Sequence, residues 1–168
     1  MFNAPSVLLN GNEDYGNLLR LLTAIELYTN PDFYASHPEI SKAAKTLKVD
    51  SARIFPETVS RDGQEEFYTK EDKEGAVLAE AKRVSKNYSE CSLITMMALS
   101  SVLGFPIYSL YPEVTYVYRS LFHRKIKPRI SFSCYMDCAY ILWSRVSLDE
   151  RAGTWYIPNH FVPVIFKN

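Results

Sequence analysis

The chain has 168 residues, which is enough for one domain with its own hydrophobic core. Lysine plus arginine and aspartate plus glutamate each number 19, so the balanced charge excludes a generally basic nucleic-acid-binding protein. No stretch approaches the ~20 apolar residues of a membrane span, and no basic-then-apolar leader opens the chain. We therefore expect an intracellular protein of the cytoplasm or nucleus, with no membrane partner.

Helical patterns dominate the first half of the chain. Residues 14–28 carry a wide apolar stripe and predict an amphipathic helix that buries this stripe. The stripe consists of Leu18, Leu19, Leu21, Leu22, Ile25 and Leu27. Asn30-Pro31 should close that helix. Shorter helices are expected at 32–36 and from about 38 to 48, then a loop at 49–70 and a helix at 71–86.

The second half predicts one more helix and several short strands. Residues 92–103 are almost wholly apolar, with Ser89 as a candidate cap and Gly104 as a C-terminal stop. The runs "PIYSLYP", "CAYILWSR" and "HFVPVIF" predict strands, and "VYRSLFHRKIKPRI" is a basic connector with some strand character. Pro163 removes one backbone donor, which indicates that the closing strand lies at a sheet edge or begins late. Helices followed by late strands indicate an α+β domain with helices packed around a small sheet.

The three cysteines are Cys91, Cys134 and Cys138. An odd number without paired spacing argues against a disulfide scaffold and against a zinc site, so we expect no metal and no cofactor. Buried structural thiols are the favoured interpretation. Cys91 is nevertheless a candidate nucleophile, because it opens a helix whose dipole would lower its pKa.

His160 is the most suggestive single residue, since it stands at the head of the closing strand between Asn159 and Phe161. Spacing alone allows a structural histidine or an acid–base group. Neither His37 nor His123 joins it by spacing. The basic run 123–129, "HRKIKPR", fits either a solvated connector or a contact with phosphates or an acidic partner.

Five stretches carry a resemblance through their order along the chain. They are "LLNGNEDYGNLLRLLTAIELYTNPDFY", "CSLITMMALSSVLGFPIYSLYP", "FHRKIKPRI", "CAYILWSR" and "NHFVPVI". This order resembles the ovarian-tumour (OTU) cysteine peptidases, and more closely the divergent OTU-like domains of vertnin and of transposon-associated animal proteins. The resemblance implies a papain-like α+β fold over residues 1–168 as one domain. It also implies a relation to deubiquitinating hydrolases, which cleave isopeptide or peptide bonds at the C-terminus of ubiquitin.

Within that resemblance His160 matches the catalytic histidine, and Phe161 matches the aromatic beside it. The nucleophilic cysteine of the family stands in a "DGNC" turn two residues before an aromatic that Phe2 matches, which would put it just before Met1. Pro5 falls where the family runs helical. Val162 replaces a polar residue that often orients the histidine, and Asn159 should face the other way.

These departures favour an inactive or incomplete OTU-like domain, a pseudoenzyme of the cysteine-peptidase fold. The alternative is a non-catalytic, vertnin-like interaction module on the same fold. Expected partners are ubiquitin or a ubiquitin-like protein, with nucleic acid as a second class. A third hypothesis makes Cys91, Cys134 or Cys138 a substitute nucleophile for His160.

Overall fold

The computed structural model describes residues 1–40, 42, 73–86, 92–113, 119, 122–132, 137–144 and 160–165. These residues form five helices and a four-stranded sheet. The helices are α1 (Asn3–Asn10), α2 (Gly16–Thr29), α3 (Pro31–Ala35), α4 (Lys73–Val84) and α5 (Leu93–Leu103). The strands are β1 (Ile107–Leu110), β2 (Arg124–Ile126), β3 (Ala139–Ser144) and β4 (His160–Pro163). The predicted α+β class is confirmed.

The sheet is mixed, with strand order β2-β1-β3-β4. β1 and β3 are parallel, whereas β2 and β4 run antiparallel to their neighbours. β4 is an edge strand, as Pro163 predicts, because proline has no N–H to donate to a further strand. The backbone N–H of Val164 still donates to the carbonyl oxygen of Tyr140 at 2.9 Å, which holds the end of β4 to β3.

The helix α5 is the centre of the core. Every side chain from Leu93 to Ser101 is buried, as its apolar composition predicts. Ser92, and not Ser89, is the observed cap: its Oγ accepts a hydrogen bond from the N–H of Thr95 at 3.1 Å. The helix ends at Gly104 with φ of 73°, a conformation that suits glycine, and Phe132 covers the position where a Cβ would stand.

The helix α2 forms where the sequence predicts it, but its buried face is different. Leu19, Thr23, Ala24 and Leu27 are buried. The rest of the predicted stripe, namely Leu18, Leu21, Leu22 and Ile25, is exposed. The prediction that the whole stripe is buried was therefore wrong. α2 is apolar on two sides, and only one of them faces α4 and α5.

The other predicted helices agree with the structure within the described residues. α3 corresponds to the helix predicted at 32–36, and α4 to the one predicted at 71–86. Residues 38–40 are helical, while most of the predicted 38–48 helix and all of the 49–70 loop lie outside the described residues. That residues 1–168 make one domain stays a prediction.

One buried polar cluster ties two helices together, and one part-buried ion pair ties α2 to the segment after β2. In α4 the carboxylate of Glu80 is almost fully buried and accepts hydrogen bonds from Arg83, Ser92 and Thr95, which fixes α4 against the start of α5. In α2 the carboxylate of Glu26 binds Arg129, with Nε 2.8 Å from Oε1. The described part of the chain contains no helix with the length and apolarity to cross a membrane.

Candidate functional site

His160 is the first residue of the edge strand β4 and lies opposite Ser144, the last residue of β3. Its side chain is exposed. The imidazole therefore stands at the carboxyl end of the parallel strands β1 and β3, where it is reachable from solvent and is not packed into the core.

The next residue, Phe161, anchors this end of β4. It lies opposite Trp143, and the two ring centroids are 4.3 Å apart. Trp143 in turn contacts Phe122 and Tyr111, and its Nε1–H donates to the buried Oγ of Ser109 at 2.8 Å. Because Trp143 is held by a ring cluster and a hydrogen bond, Phe161 has a fixed surface to pack on. His160 is thereby held one residue away from a rigid contact.

His160 shares a cavity of about 590 Å³ with the start of the chain. Three parts of the molecule line this cavity: the strand β4, the first residues through α1, and the beginning of α2. We call it the His160 cavity. Its lining from outside β4 is Met1, Phe2, Asn3, Ala4, Val7, Glu13, Gly16, Asn17 and Arg20. The first residues of the chain and the imidazole therefore face the same space.

Asn3 closes one wall of the His160 cavity over Gly16. The Nδ2 of Asn3 donates to Oε2 of Glu13 at 2.7 Å. A Cβ on residue 16 would stand 2.3 Å from Oδ1 of Asn3, so only glycine leaves room for this arrangement. Arg20, which also lines the cavity, donates to Oδ1 of Asn17 and to the carbonyl oxygen of Ser85.

The turn between α1 and α2 is fixed by the fully buried Ser6. Its Oγ accepts from the N–H of Tyr15 at 3.0 Å and donates to the carbonyl oxygen of Asn12 at 2.8 Å. The Oδ1 of Asn12 accepts from the N–H of Asp14, which is an Asx turn. These bonds fix the turn that leaves α1 in contact with β4. Phe2, at the N-cap, supplies no capping side chain and is itself buried.

The described thiol lies far from this site. Cys138 precedes β3, at the end opposite Ser144, so the rise of the strand separates it from His160 by roughly 20 Å. Burial raises the pKa of Cys138, which disfavours the thiolate. Cys138 is therefore not a substitute nucleophile for His160. Cys91, Cys134 and Asn159 lie outside the described residues.

The other two histidines belong to a second cavity of about 550 Å³. Nδ1 of His37 accepts from the N–H of Glu39, and Nδ1 of His123 accepts from the N–H of Tyr111, each at 3.2 Å. Burial lowers the pKa of His37. Among the residues that the structure describes, no three metal-ligating side chains cluster together.

Two arginines of the basic run 123–129 form ion pairs within the chain. Arg124 pairs with Glu39, and Arg129 pairs with Glu26. The guanidinium of Arg129 also stacks over the ring of Phe33, 5.9 Å from its centroid. These arginines connect the β2 region to the helical layer.

Asn3, Glu13 and Gly16 were missed by the sequence reasoning. The only local signal was the turn "NGNEDYGN", which indicates a connection but does not show that it faces a strand about 150 residues later. Val162, noted for its position after His160, does line the cavity and is half-buried.

A family comparison covers most of these elements. Residues 1–144 match the family described as the OTU domain of vertnin. The chain belongs to this vertnin OTU-domain family. The match ends at Ser144, the residue opposite His160, so it includes α1 to α5 and β1 to β3 but not β4. No curated protein and no solved structure matches the chain.

Proposed function

We propose that the His160 cavity is the acid–base half of an OTU-type cysteine-hydrolase site, completed by a thiol on a turn directly before Met1. The observation that carries the proposal is the shared lining of this cavity: His160 on one side and Met1 to Ala4 on the other. A residue attached to the amino group of Met1 would enter or border the same space. In the resemblance to OTU peptidases that is the place of the nucleophilic cysteine.

The chemistry follows from the two groups. The imidazole of His160 takes the thiol proton, and the resulting thiolate attacks an isopeptide or peptide carbonyl carbon. Collapse of the tetrahedral adduct breaks the C–N bond, and the imidazolium gives its proton to the leaving amine. Water, deprotonated by the imidazole, then hydrolyses the thioester and releases the thiol.

The start of α1 adds a favourable field. Its first N–H groups and its dipole place partial positive charge at the amino end of the helix. That end borders the His160 cavity, since Asn3 and Ala4 line it. Positive charge there stabilises a thiolate and the oxyanion of the adduct.

An extended chain tests the proposal. Asp-Gly-Asn-Cys would be added directly before Met1, with Asp-Gly-Asn-Ser as the matched control, and both incubated with ubiquitin that carries a C-terminal thiol-reactive electrophile. We expect a covalent adduct with the cysteine form only. His160→Ala should slow adduct formation by about 100-fold or more, the usual contribution of a general base. No adduct on the extended, folded protein would remove the hydrolase proposal.

Val162 favours a second candidate function, a non-catalytic interaction module on the same fold. It stands two residues after His160, lines the cavity and has no polar atom to orient an imidazole. In this alternative the chain binds ubiquitin, a ubiquitin-like protein or DNA but catalyses no reaction. The pairing of Arg124 and Arg129 with carboxylates weakens the nucleic-acid version.

Titration distinguishes these partners. Ubiquitin and a DNA duplex would each be titrated into the chain at two salt concentrations. Phosphate contacts give a steep loss of affinity with salt, whereas a largely apolar protein contact does not. Binding of ubiquitin without any adduct on the extended chain would favour the interaction module over the hydrolase.

A further inference from the structure

The exposed side of α2 forms, with α4, an apolar groove that the His160 cavity does not use. Arg20, near the start of α2, donates to the carbonyl oxygen of Ser85, just after the end of α4, so the two helices run antiparallel. The groove between them has a volume of about 670 Å³. Its floor is formed by two small buried side chains, Ala24 and Ala81.

Large apolar side chains form the ridges of this groove. Leu21, Ile25 and Tyr28 stand on the α2 side, and Leu78 stands on the α4 side. Together with Leu18 and Leu22, they leave between 38 and 68% of their surfaces exposed. Apolar residues scattered singly over a surface are ordinary, but six that are contiguous mark an interaction site.

The spacing along α2 identifies the shape of the occupant. Leu18, Leu21, Ile25 and Tyr28 follow one another at intervals of three, four and three residues. That is the spacing with which one helix packs along another in coiled coils and helical bundles. A helix packed along α2 would therefore cover these four side chains.

Charge indicates which helix fits. At one end of the α4 surface stands Glu74, and at the other end stand Lys82 and Lys86. All three side chains are exposed, and none of them forms an ion pair with another described residue. A two-fold axis perpendicular to the helices would set α2 against α2 and α4 against α4 in antiparallel pairs. It would bring Glu74 of each copy near Lys82 or Lys86 of the other.

We propose that this α2–α4 face binds a second copy of the chain, so that two antiparallel two-helix layers pack face to face as a four-helix bundle. The two helices are about 21 and 18 Å long. A face of this length and two helices wide is small for an interface, and stable dimers bury about 800 Å² per partner. The dimer should accordingly be weak and depend on concentration.

Sedimentation velocity over a concentration series up to about 1 mM tests the proposal on the full chain. We expect a shift from monomer to dimer across that range. Ile25→Glu should abolish the dimer at every concentration. Ile165→Glu is the matched control, since Ile165 is also exposed but lies after β4, and it should leave the dimer intact. Circular dichroism checks that both variants fold.

Charge reversal tests the antiparallel arrangement. Glu74→Lys and Lys82→Glu should each weaken the dimer several-fold at low salt, and the double variant should recover most of that loss. A chain that stays monomeric throughout the series overturns the proposal. So does a dimer that Ile25→Glu leaves unchanged. A double variant no stronger than the single ones overturns the antiparallel pairing.

Discussion

Phe161 and Trp143 face each other across the β3–β4 pair with ring centroids 4.3 Å apart. This contact is what makes an edge strand of four residues a firm support for His160. An edge strand has hydrogen bonds on one side only, so side-chain packing must supply the remaining rigidity. Trp143 can do so because Ser109 and a cluster of rings already hold it.

Phe161→Ala should therefore lower the free energy of unfolding by about 2 kcal/mol, less than for a fully buried phenylalanine because Phe161 is half-buried. Urea unfolding measures this change. Leu142→Ala is the control. Leu142 lies in the neighbouring strand, but its side chain is exposed, so this substitution should lower the free energy of unfolding by less than about 1 kcal/mol. Equal losses in the two variants would mean that the Phe161–Trp143 contact contributes nothing special.

Gly16 and Asn3 form a pair that shapes the wall of the His160 cavity. Gly16→Ala places a methyl group 2.3 Å from Oδ1 of Asn3, so the Asn3 side chain must move and its bond to Glu13 must break. We expect a loss of about 1 kcal/mol, the worth of that hydrogen bond, partly offset by the better helix propensity of alanine. The NMR signals of the His160 ring should also shift.

A double-mutant cycle separates the clash from other effects. Asn3→Ala removes the side chain that the methyl group would meet, so Gly16→Ala should be neutral or stabilising in that background. If Gly16→Ala costs the same with and without the Asn3 side chain, the wall of the cavity is not built by this contact.

The buried hydroxyl of Tyr34 should make the folded chain less stable at alkaline pH. Burial raises the pKa of its hydroxyl well above the ordinary value. The hydrogen bond with Ser101 lowers this pKa, whereas Glu26 raises it further. The carboxylate of Glu26 accepts a hydrogen bond from the hydroxyl at 2.8 Å. The folded chain thus keeps the proton while the unfolded chain releases it near pH 10. The stabilising contribution is complete below about pH 10 and declines above it, by up to 1.4 kcal/mol per pH unit.

The measurement compares wild type with Tyr34→Phe by urea unfolding at pH 8 and at about pH 11. Tyr34→Phe is expected to be less stable at pH 8, because it loses the hydrogen bonds to Glu26 and Ser101. Its disadvantage should shrink or reverse at the higher pH. A gap that does not change with pH would contradict a buried, protonated Tyr34.

Substitution of Glu80 should lower the free energy of unfolding more than substitution of most other polar residues in the helices. Glu80→Ala leaves the guanidinium of Arg83 and the buried hydroxyls of Ser92 and Thr95 without their shared acceptor. We expect a loss of about 3 kcal/mol in the free energy of unfolding. Glu74→Ala, on the exposed side of the same helix, is the control and should change stability by less than about 0.5 kcal/mol. A small effect at Glu80 would mean that water replaces the lost carboxylate.

The sequence predicts well those parts of the fold that depend on local chemistry. The glycine stop of α5 at Gly104 and the proline at the edge strand follow from backbone geometry that neighbouring residues determine. The face of α2 was not predictable in this way, because leucine and isoleucine occupy two sides of the helix and only tertiary packing selects one of them.

Long-range partners of the site were also beyond local reasoning. His160 stands out as the head of a closing strand, but Asn3 and Glu13 line the same cavity only because β4 lies beside α1. Likewise, Glu26 and Arg129 pair across 103 positions of sequence. Periodicity and caps carry no information about such contacts.

If the imidazole of His160 faces the position just before Met1, a thiol placed there should respond to it, and a thiol titration tests this without any substrate. The pKa of the cysteine in the Asp-Gly-Asn-Cys extended chain would be measured by thiolate absorbance, with and without His160→Ala. We expect a pKa well below the usual ~8.5 in the presence of the imidazole and a clear rise in the variant, because a nearby imidazolium stabilises a thiolate. The same thiol pKa in both proteins would mean that the His160 imidazole does not reach that position.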